Sequence, residues 1–218
     1  MFDRLSRLKI LGYTPSAILD IGAFVGEWTK SMLKIYPVSD YYLFEGNNQE
    51  KLDSYSNNHV HVYKNIILNE KVEEVDWYQT SYTGDSFCKE NTSHYKDIKP
   101  VKRTTIDLNS FLEKENINLV NEDIFIKIDC QGAEIPILKG CTKILPFTSF
   151  ILIELPLFGC YNSNTPNFLE HIRFMDSIGF IPYDIPIILY VNDFAMQLDM
   201  LFIKKGHKIC DIVQEKLL

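Results

Sequence analysis

The stretch Ile18 to Trp28, Ile-Leu-Asp-Ile-Gly-Ala-Phe-Val-Gly-Glu-Trp, constrains this chain more than any other. Ala17 to Asp20 is apolar and closes on an acid, the pattern of a short buried strand. Gly22 and Gly26 then mark a tight turn, and an amphipathic pattern starts where the turn ends. A strand, a glycine turn and a helix N-terminus bring bare backbone N–H groups to one edge of a sheet. That edge is where open α/β sheets take ligands.

The rest of the chain repeats the strand-and-helix rhythm. Phe2, Leu5, Leu8 and Leu11 recur every third residue, which predicts an N-terminal helix within residues 1–14 that Gly12 terminates. A second helix over 26–36 buries Trp28, Met32 and Leu33 and stops at Pro37. Tyr41 to Phe44 reads as a strand reaching Glu45-Gly46. Asn47 or Asn48 is placed to cap a helix over 49–56. Val60 to Ile67 reads as a third strand, with Asn65 near its end. This alternation predicts a parallel sheet with right-handed crossovers.

Residues 73–103 break the rhythm and read as a hairpin or long loop inserted at the ligand edge. Thr105 or Asp107 then caps a helix over 108–115. Ile124 to Ile128 is a buried strand ending at Asp129. Gly132-Ala133-Glu134 opens a helix with Gly140 as its C-cap. Phe150 to Ile153 is a further strand ending at Glu154. A helix spans 166–178, with Pro166 near its start. Two strands, 180–189 and 200–204, turn around Asn192-Asp193, and their short connection predicts an antiparallel pair. No repeat or linker divides the chain, so residues 1–218 are expected to form a single domain.

Composition excludes several function classes. A net charge of −7 argues against nucleic acid as a partner, because phosphate binding needs clustered Lys and Arg. Cys88, Cys130, Cys141, Cys160 and Cys210 are scattered without metal-ligand spacing, so neither a zinc site nor a disulfide framework is expected. No metal site is expected in the leading reading. The N-terminus lacks a signal-peptide apolar run, and no stretch reaches the roughly 18 apolar residues that read as a membrane span. A soluble, cytoplasmic protein follows.

The chemistry should sit where strands end in acids. Asp20, Glu45, Asp129 and Glu154 each close a predicted strand, and such ends converge on one crevice. Phe24 stands where a dinucleotide turn of the G-x-G-x-x-G type has its middle glycine, which disfavours the close approach of a pyrophosphate. Glu45, 23 residues beyond Gly22, is placed to hold two vicinal ribose hydroxyls. Any adenosine-type ligand would suit that geometry, NAD included.

Two motifs resemble a known family. Asp20-Ile-Gly-Ala-Phe-Val-Gly26 resembles the first motif of S-adenosylmethionine-dependent methyltransferases. Lys127-Ile-Asp-Cys-Gln-Gly-Ala-Glu134 is similar to the signature of the FkbM methyltransferases. Thr104 to Leu108, Leu138 to Gly140, Ile153-Glu154, Gly179-Phe180 and Gln197 to Phe202 fit the same family. The sequence departs from the family's pattern at Phe24, Gly46 and Cys130.

The resemblance implies an α/β, Rossmann-like three-layer sandwich with a mostly parallel seven-stranded sheet and an antiparallel last strand. It implies S-adenosyl-L-methionine as cofactor and methylation of a hydroxyl on a sugar or other polar metabolite, the acceptor being a small molecule or glycan. Gly22, Ala23, Phe24 and Gly26 would wrap the methionine part, with Asp20 near its ammonium. Glu45 and Gly46 would hold the ribose, and Asn65 and Ile66 would flank the adenine. Asp129 would lie at the methyl edge. Asp129 or Glu154 would act as base, with His171 a further candidate. Lys127 would pair with Glu134. Tyr82, Asp85, Ser86, Tyr161 and Asn162 would cover the acceptor. The alternatives are an NAD-dependent oxidoreductase, a non-catalytic adenosyl-ligand-binding module, and a divalent cation held by paired acids.

Overall fold

The computed structural model describes residues 1–80, 83–93, 95–157 and 162–217. Helix α1 (Phe2–Ile10) carries Asp3 in its first turn and Arg7 and Lys9 in its last, matching the helix dipole. Gly12 leaves it in the left-handed region, at φ 85°. Strand β1 (Ala17–Ile21) is buried along its whole length. Helix α2 (Glu27–Ile35) follows the glycine turn, and β2 (Asp40–Glu45) lies parallel to β1. Strand β3 (Val60–Lys64) pairs parallel to β2.

The predicted third strand is shorter than the apolar run. Asn65 takes φ 60° and turns the chain, so Ile67 joins a second sheet instead. That sheet has three strands: β4 (Ile67–Leu68), β5 (Glu74–Trp77) and β6 (Val101–Ile106). The antiparallel β5–β6 pair frames the insertion as a hairpin. The helix expected over 49–56 is a 3₁₀ helix, Glu50–Tyr55, whose N-cap Gln49 makes no side-chain cap bond. Asn47 cannot cap it because its amide is engaged by Trp77 and Asp85.

Asp107 caps α3 (Leu108–Lys114) by accepting from Ser110 N–H. Strand β7 (Ile124–Ile128) lies parallel to β1, on the side away from β2. Helix α4 (Glu134–Lys139) ends at Gly140, which keeps a right-handed conformation. Its lack of a side chain matters for space, since a Cβ would meet the Asn69 carbonyl at 2.5 Å. Strand β8 (Thr148–Pro156) runs past Glu154, so this acid lies inside the strand and not at its end. Antiparallel pairing sustains the extra length, with Glu154 opposite Asp199.

Pro166 precedes the N-cap of α5 (Phe168–Ser177); Asn167 and Glu170 close a capping box there. Strands β9 (Phe180–Val191) and β10 (Phe194–Lys204) are longer than their apolar cores suggest. Asn192 and Asp193 both adopt positive φ in the turn between them, as a two-residue hairpin requires. A final helix, α6 (Lys208–Leu217), lies beyond the segments that the sequence pattern marked.

The main sheet has the order β3-β2-β1-β7-β8-β10-β9, with β10 antiparallel to both neighbours. This is the expected seven-stranded, mostly parallel, Rossmann-like sheet with its last strand reversed. Helices α3, α4 and α5 cover one face through Phe111, Ile137 and Met175. Helices α1, α2 and α6 cover the other through Leu5, Met32 and Ile209. Phe150 anchors the second core, with its ring centroid 4.6 Å from Tyr13 and 5.7 Å from Tyr183. Phe150→Ala should therefore cost about 3–5 kcal/mol, as large-to-small changes in tight cores do. Urea denaturation of the variant beside the parent checks this.

Candidate active site

The turn after β1 is tied to β2 more tightly than its glycines suggested. Gly22 and Ala23 both donate their N–H groups to the Phe44 carbonyl, each at 3.0 Å. Phe24 donates its N–H to Glu45 Oε2 at 2.8 Å, and Gly26 donates to the Ala23 carbonyl. These amides are therefore not bare, because the end of β2 passes close enough to take them. Gly22 has φ 78°, and a Cβ there would sit 2.1 Å from the Asp129 carbonyl. Its role is to let the turn lie against the end of β7. Gly26 has φ 82° and makes room for the Tyr55 ring, 2.8 Å from where a Cβ would be.

A cavity of about 500 Å³ opens at the carboxyl ends of the parallel strands. Gly22 and Phe24 form one wall, and Glu45, Gly46 and Asn47 the next. Ile66 and Trp77 lie beyond them, with Asp85, Ser86 and Glu90 reaching in from the hairpin. Asp129, Gln131, Glu154 and Gln197 close the far side. Trp77 packs on Gly46, where a Cβ would meet its ring at 2.7 Å.

Of the residues that the sequence singled out, the cavity thus gathers Gly22, Phe24, Glu45, Gly46, Ile66, Asp129 and Glu154, together with Asp85 and Ser86. It does not gather Asp20, Ala23, Gly26, Asn65 or His171. Ala23 is packed in the α1–α2 core. Asn65 turns its carbonyl to Arg103, which donates to it at 3.2 Å. His171 is 1% exposed; its Nδ1 lies 2.9 Å from the Asn167 carbonyl and its Nε2 lies 3.9 Å from Glu134. Asn162 donates to the Cys88 carbonyl and so braces the hairpin from outside the cavity wall. Tyr82, Cys160 and Tyr161 lie outside the described residues.

Asp20 is fully buried below the cavity. It accepts from Thr29 Oγ1 at 2.6 Å and faces Lys127 Nζ at 3.1 Å. Lys127 also donates to the Gly22 carbonyl at 2.7 Å and stands 3.6 Å from Asp129. The expected Lys127–Glu134 pair does not form. Asp20 and Lys127 are Cα partners in the β1–β7 register and point to the α1–α2 face, whereas Glu134 opens α4 on the other face. Glu134 instead accepts the N–H groups of Cys130 and Gly132 at 3.1 and 3.2 Å. Burial opposes the Lys127 charge, yet Asp20 and Asp129 hold its pKa above the ordinary lysine range.

Glu45 is held at the cavity wall by Phe24 N–H on one oxygen and Asn47 N–H, at 2.9 Å, on the other. Burial raises its pKa above the usual carboxylate value, and the two amides counter part of that rise. Glu154 accepts from Gln131 Nε2 at 2.9 Å and from Gln197 Nε2 at 2.5 Å. Gln131, at φ 53°, also reaches Asp129 at 3.1 Å. Asn47 accepts from Trp77 Nε1 and donates to Asp85. Sequence reasoning gave site roles to none of Asn47, Trp77, Gln131 and Gln197. Gln131 and Gln197 both sit inside stretches that fit the family's pattern, the one signal that could have found them.

A turn fixed to two strand ends, an acid at the end of β2 and a reversed last strand define a methyltransferase-type α/β domain. Solved structures share this fold. An FkbM methyltransferase from Methylobacillus flagellatus is 15% identical and superposes with a TM-score of 0.50, over 85% of this chain and 43% of its own. This chain therefore spans less than half of that protein. The Burkholderia thailandensis 1,6-didemethyltoxoflavin-N1-methyltransferase is 11% identical, with a TM-score of 0.52 over 93% of this chain and 77% of its own. The magnesium protoporphyrin IX methyltransferase of Synechocystis is 6% identical, with a TM-score of 0.50 over 94% and 78%. No curated protein sequence matches the chain. The family model for the methyltransferase FkbM domain matches residues 20–182, and the chain belongs to that family.

Two measurements probe the polar floor. Lys127→Met leaves Asp20 charged and unpaired in the core, which should cost about 3–5 kcal/mol in urea denaturation; pairing it with Asp20→Asn should restore part of the loss. Asp199, half-buried opposite Glu154, is pushed from 3.8 up to about 6, by burial first and then by Asp129. A raised carboxylate pKa means that the folded state holds the proton more tightly than the unfolded chain. Its contribution to stability is full below pH 3.8 and is lost as pH rises through about 6. Asp199→Asn should then gain on the order of 2 kcal/mol over the parent at neutral pH and none in acid, read from denaturation midpoints across pH.

Proposed function

We propose that residues 1–218 form one S-adenosylmethionine-dependent methyltransferase domain that methylates a hydroxyl oxygen of a sugar or other polar metabolite. The observation that carries this reading is the Glu45 carboxylate, fixed by Phe24 and Asn47 N–H at the cavity wall. Each carboxylate oxygen has more than one lone pair, so the pair can still accept from two vicinal ribose hydroxyls. The spent amides of Gly22, Ala23 and Phe24 disfavour a pyrophosphate, and with it the NAD reading. In keeping with this, the Burkholderia thailandensis structure contains S-adenosylhomocysteine and the Synechocystis structure contains S-adenosylmethionine.

Gly22 and Phe24 would line the methionine part, Glu45 the ribose, and Gly46, Ile66 and Trp77 the base. When bound, S-adenosylmethionine supplies an electrophilic methyl group on a sulfonium. The chain's own contribution is mainly position. Glu154, oriented by Gln131 and Gln197, takes the proton that the acceptor hydroxyl loses as its oxygen bonds to the methyl carbon. Asp129 is already matched to the Lys127 charge, which makes Glu154 the better placed acid for this task. His171 is sealed in the core and serves no such role.

Calorimetry with S-adenosylhomocysteine and NAD in parallel tests the reading. Binding of the first and not the second is expected, and binding of NAD alone overturns it. Glu45→Ala should weaken S-adenosylhomocysteine by about 1–3 kcal/mol, the scale for bonds to a charged group. Glu154→Gln should leave that affinity intact and lower turnover by about 10²–10⁴-fold, as loss of a general base does.

A further inference from the structure

The sign of the cavity wall narrows the acceptor class. Five carboxylates face the space: Glu45, Asp85, Glu90, Asp129 and Glu154. Among the described residues no Lys, Arg or His lines it. The partners of Glu45, Asp85 and Glu90 are neutral donors. Glu45 has two backbone amides, and Asp85 has the Asn47 amide, Thr80 and the Tyr95 hydroxyl. Glu90 accepts from the Thr92 hydroxyl. Lys127 lies behind the wall at 3.6 Å from Asp129, but it stands nearer to Asp20.

Asp85 and Glu90 come from the hairpin, and Glu45 from the end of β2. Among the described residues, no three groups of ligating type stand close enough to hold a metal ion. The acids are thus spread around the space, and the field they present is negative. Low dielectric around the space strengthens that field, which favours cations and repels anions.

We propose that the acceptor is a hydroxyl-bearing molecule that also carries a protonated amine, such as an amino sugar or amino alcohol. Phosphorylated, carboxylated and nucleotide-linked sugars are rejected. This rests on the methyltransferase reading, since a sulfonium answers only one of the three charges of Glu45, Asp85 and Glu90. An ammonium has three donors and can meet acids of both the hairpin and β2, while its neighbouring hydroxyl turns to Glu154.

The test uses three probes built on one ring: glucosamine, glucose and glucose 6-phosphate. Each is titrated by calorimetry into protein saturated with S-adenosylhomocysteine, at low and at high salt. Glucosamine should bind most tightly, at least about tenfold more tightly than the phosphate, with the gap narrowing in high salt as screening dictates. Glu90→Gln keeps a group that accepts from Thr92 while removing one charge, and should narrow the gap at low salt. Equal or tighter binding of glucose 6-phosphate overturns the proposal. So does glucosamine that binds no better than glucose, or not at all. Failure to take up S-adenosylhomocysteine is a separate result: it removes the methyltransferase reading, and the order of the sugars is then read on the unsaturated protein.

Discussion

One ammonium group organises the edge of the sheet where the cavity lies. Lys127 reaches Asp20 at 3.1 Å, the Gly22 carbonyl at 2.7 Å and Asp129 at 3.6 Å. It thus ties β1, the turn after β1 and the end of β7 at a single point. A buried ion pair of this kind adds little net stability, because desolvation offsets most of its attraction. What it adds is register. Asp20 and Lys127 are direct partners across two parallel strands, and a slip by one residue would turn one of the two charges toward the opposite apolar face. The glycine turn can then lie flat on β7, with no Cβ between Gly22 and the Asp129 carbonyl.

From that fixed point the cavity is assembled by short links. The Phe44 carbonyl collects the turn's first two amides, and Glu45 collects the third. Asn47, two residues on, takes Glu45 with its backbone, Trp77 with its oxygen and Asp85 with its amide nitrogen. Tyr95 and Thr80 then complete the bonds to Asp85. The hairpin is therefore not draped over the site. It is bonded to the end of β2 through the Asn47 side chain and through Arg103, which donates to the Gly46 carbonyl at 3.0 Å, so a change at Asn47 would reach both the Glu45 wall and the hairpin wall.

Much of the fold was legible because the signals are local. Strand, turn and helix around Ile18 to Trp28, the acid after β7 and the antiparallel C-terminal pair all follow from periodicity and turn chemistry. What failed depended on partners far along the chain. Asn47 looks like a cap until Trp77 and Asp85 claim its side chain. Lys127 and Glu134 look like a pair until the sheet puts them on opposite faces. Glu154 looks like a strand end until β10 extends the pairing of β8 beyond the parallel region. His171 looks like a candidate base until α5 buries it against Glu134. Within the site, glycines and acids were readable by type, but Gln131 and Gln197 lie in matching stretches whose pattern does not say that their amides hold Glu154.

The distribution of charge follows from the same constraint. The sheet places one lysine where it can neutralise the deepest acid, and Asp20 needs it, being shut off from water. Glu45, Asp85 and Glu90 face the cavity and are met by amides and hydroxyls, which stabilise an anion without cancelling it. A second cation in the wall would settle these acids and leave the cavity electrically closed to a charged guest. The compensated acid holds the fold, while Glu45, Asp85 and Glu90 carry the negative sign that the proposed ammonium answers.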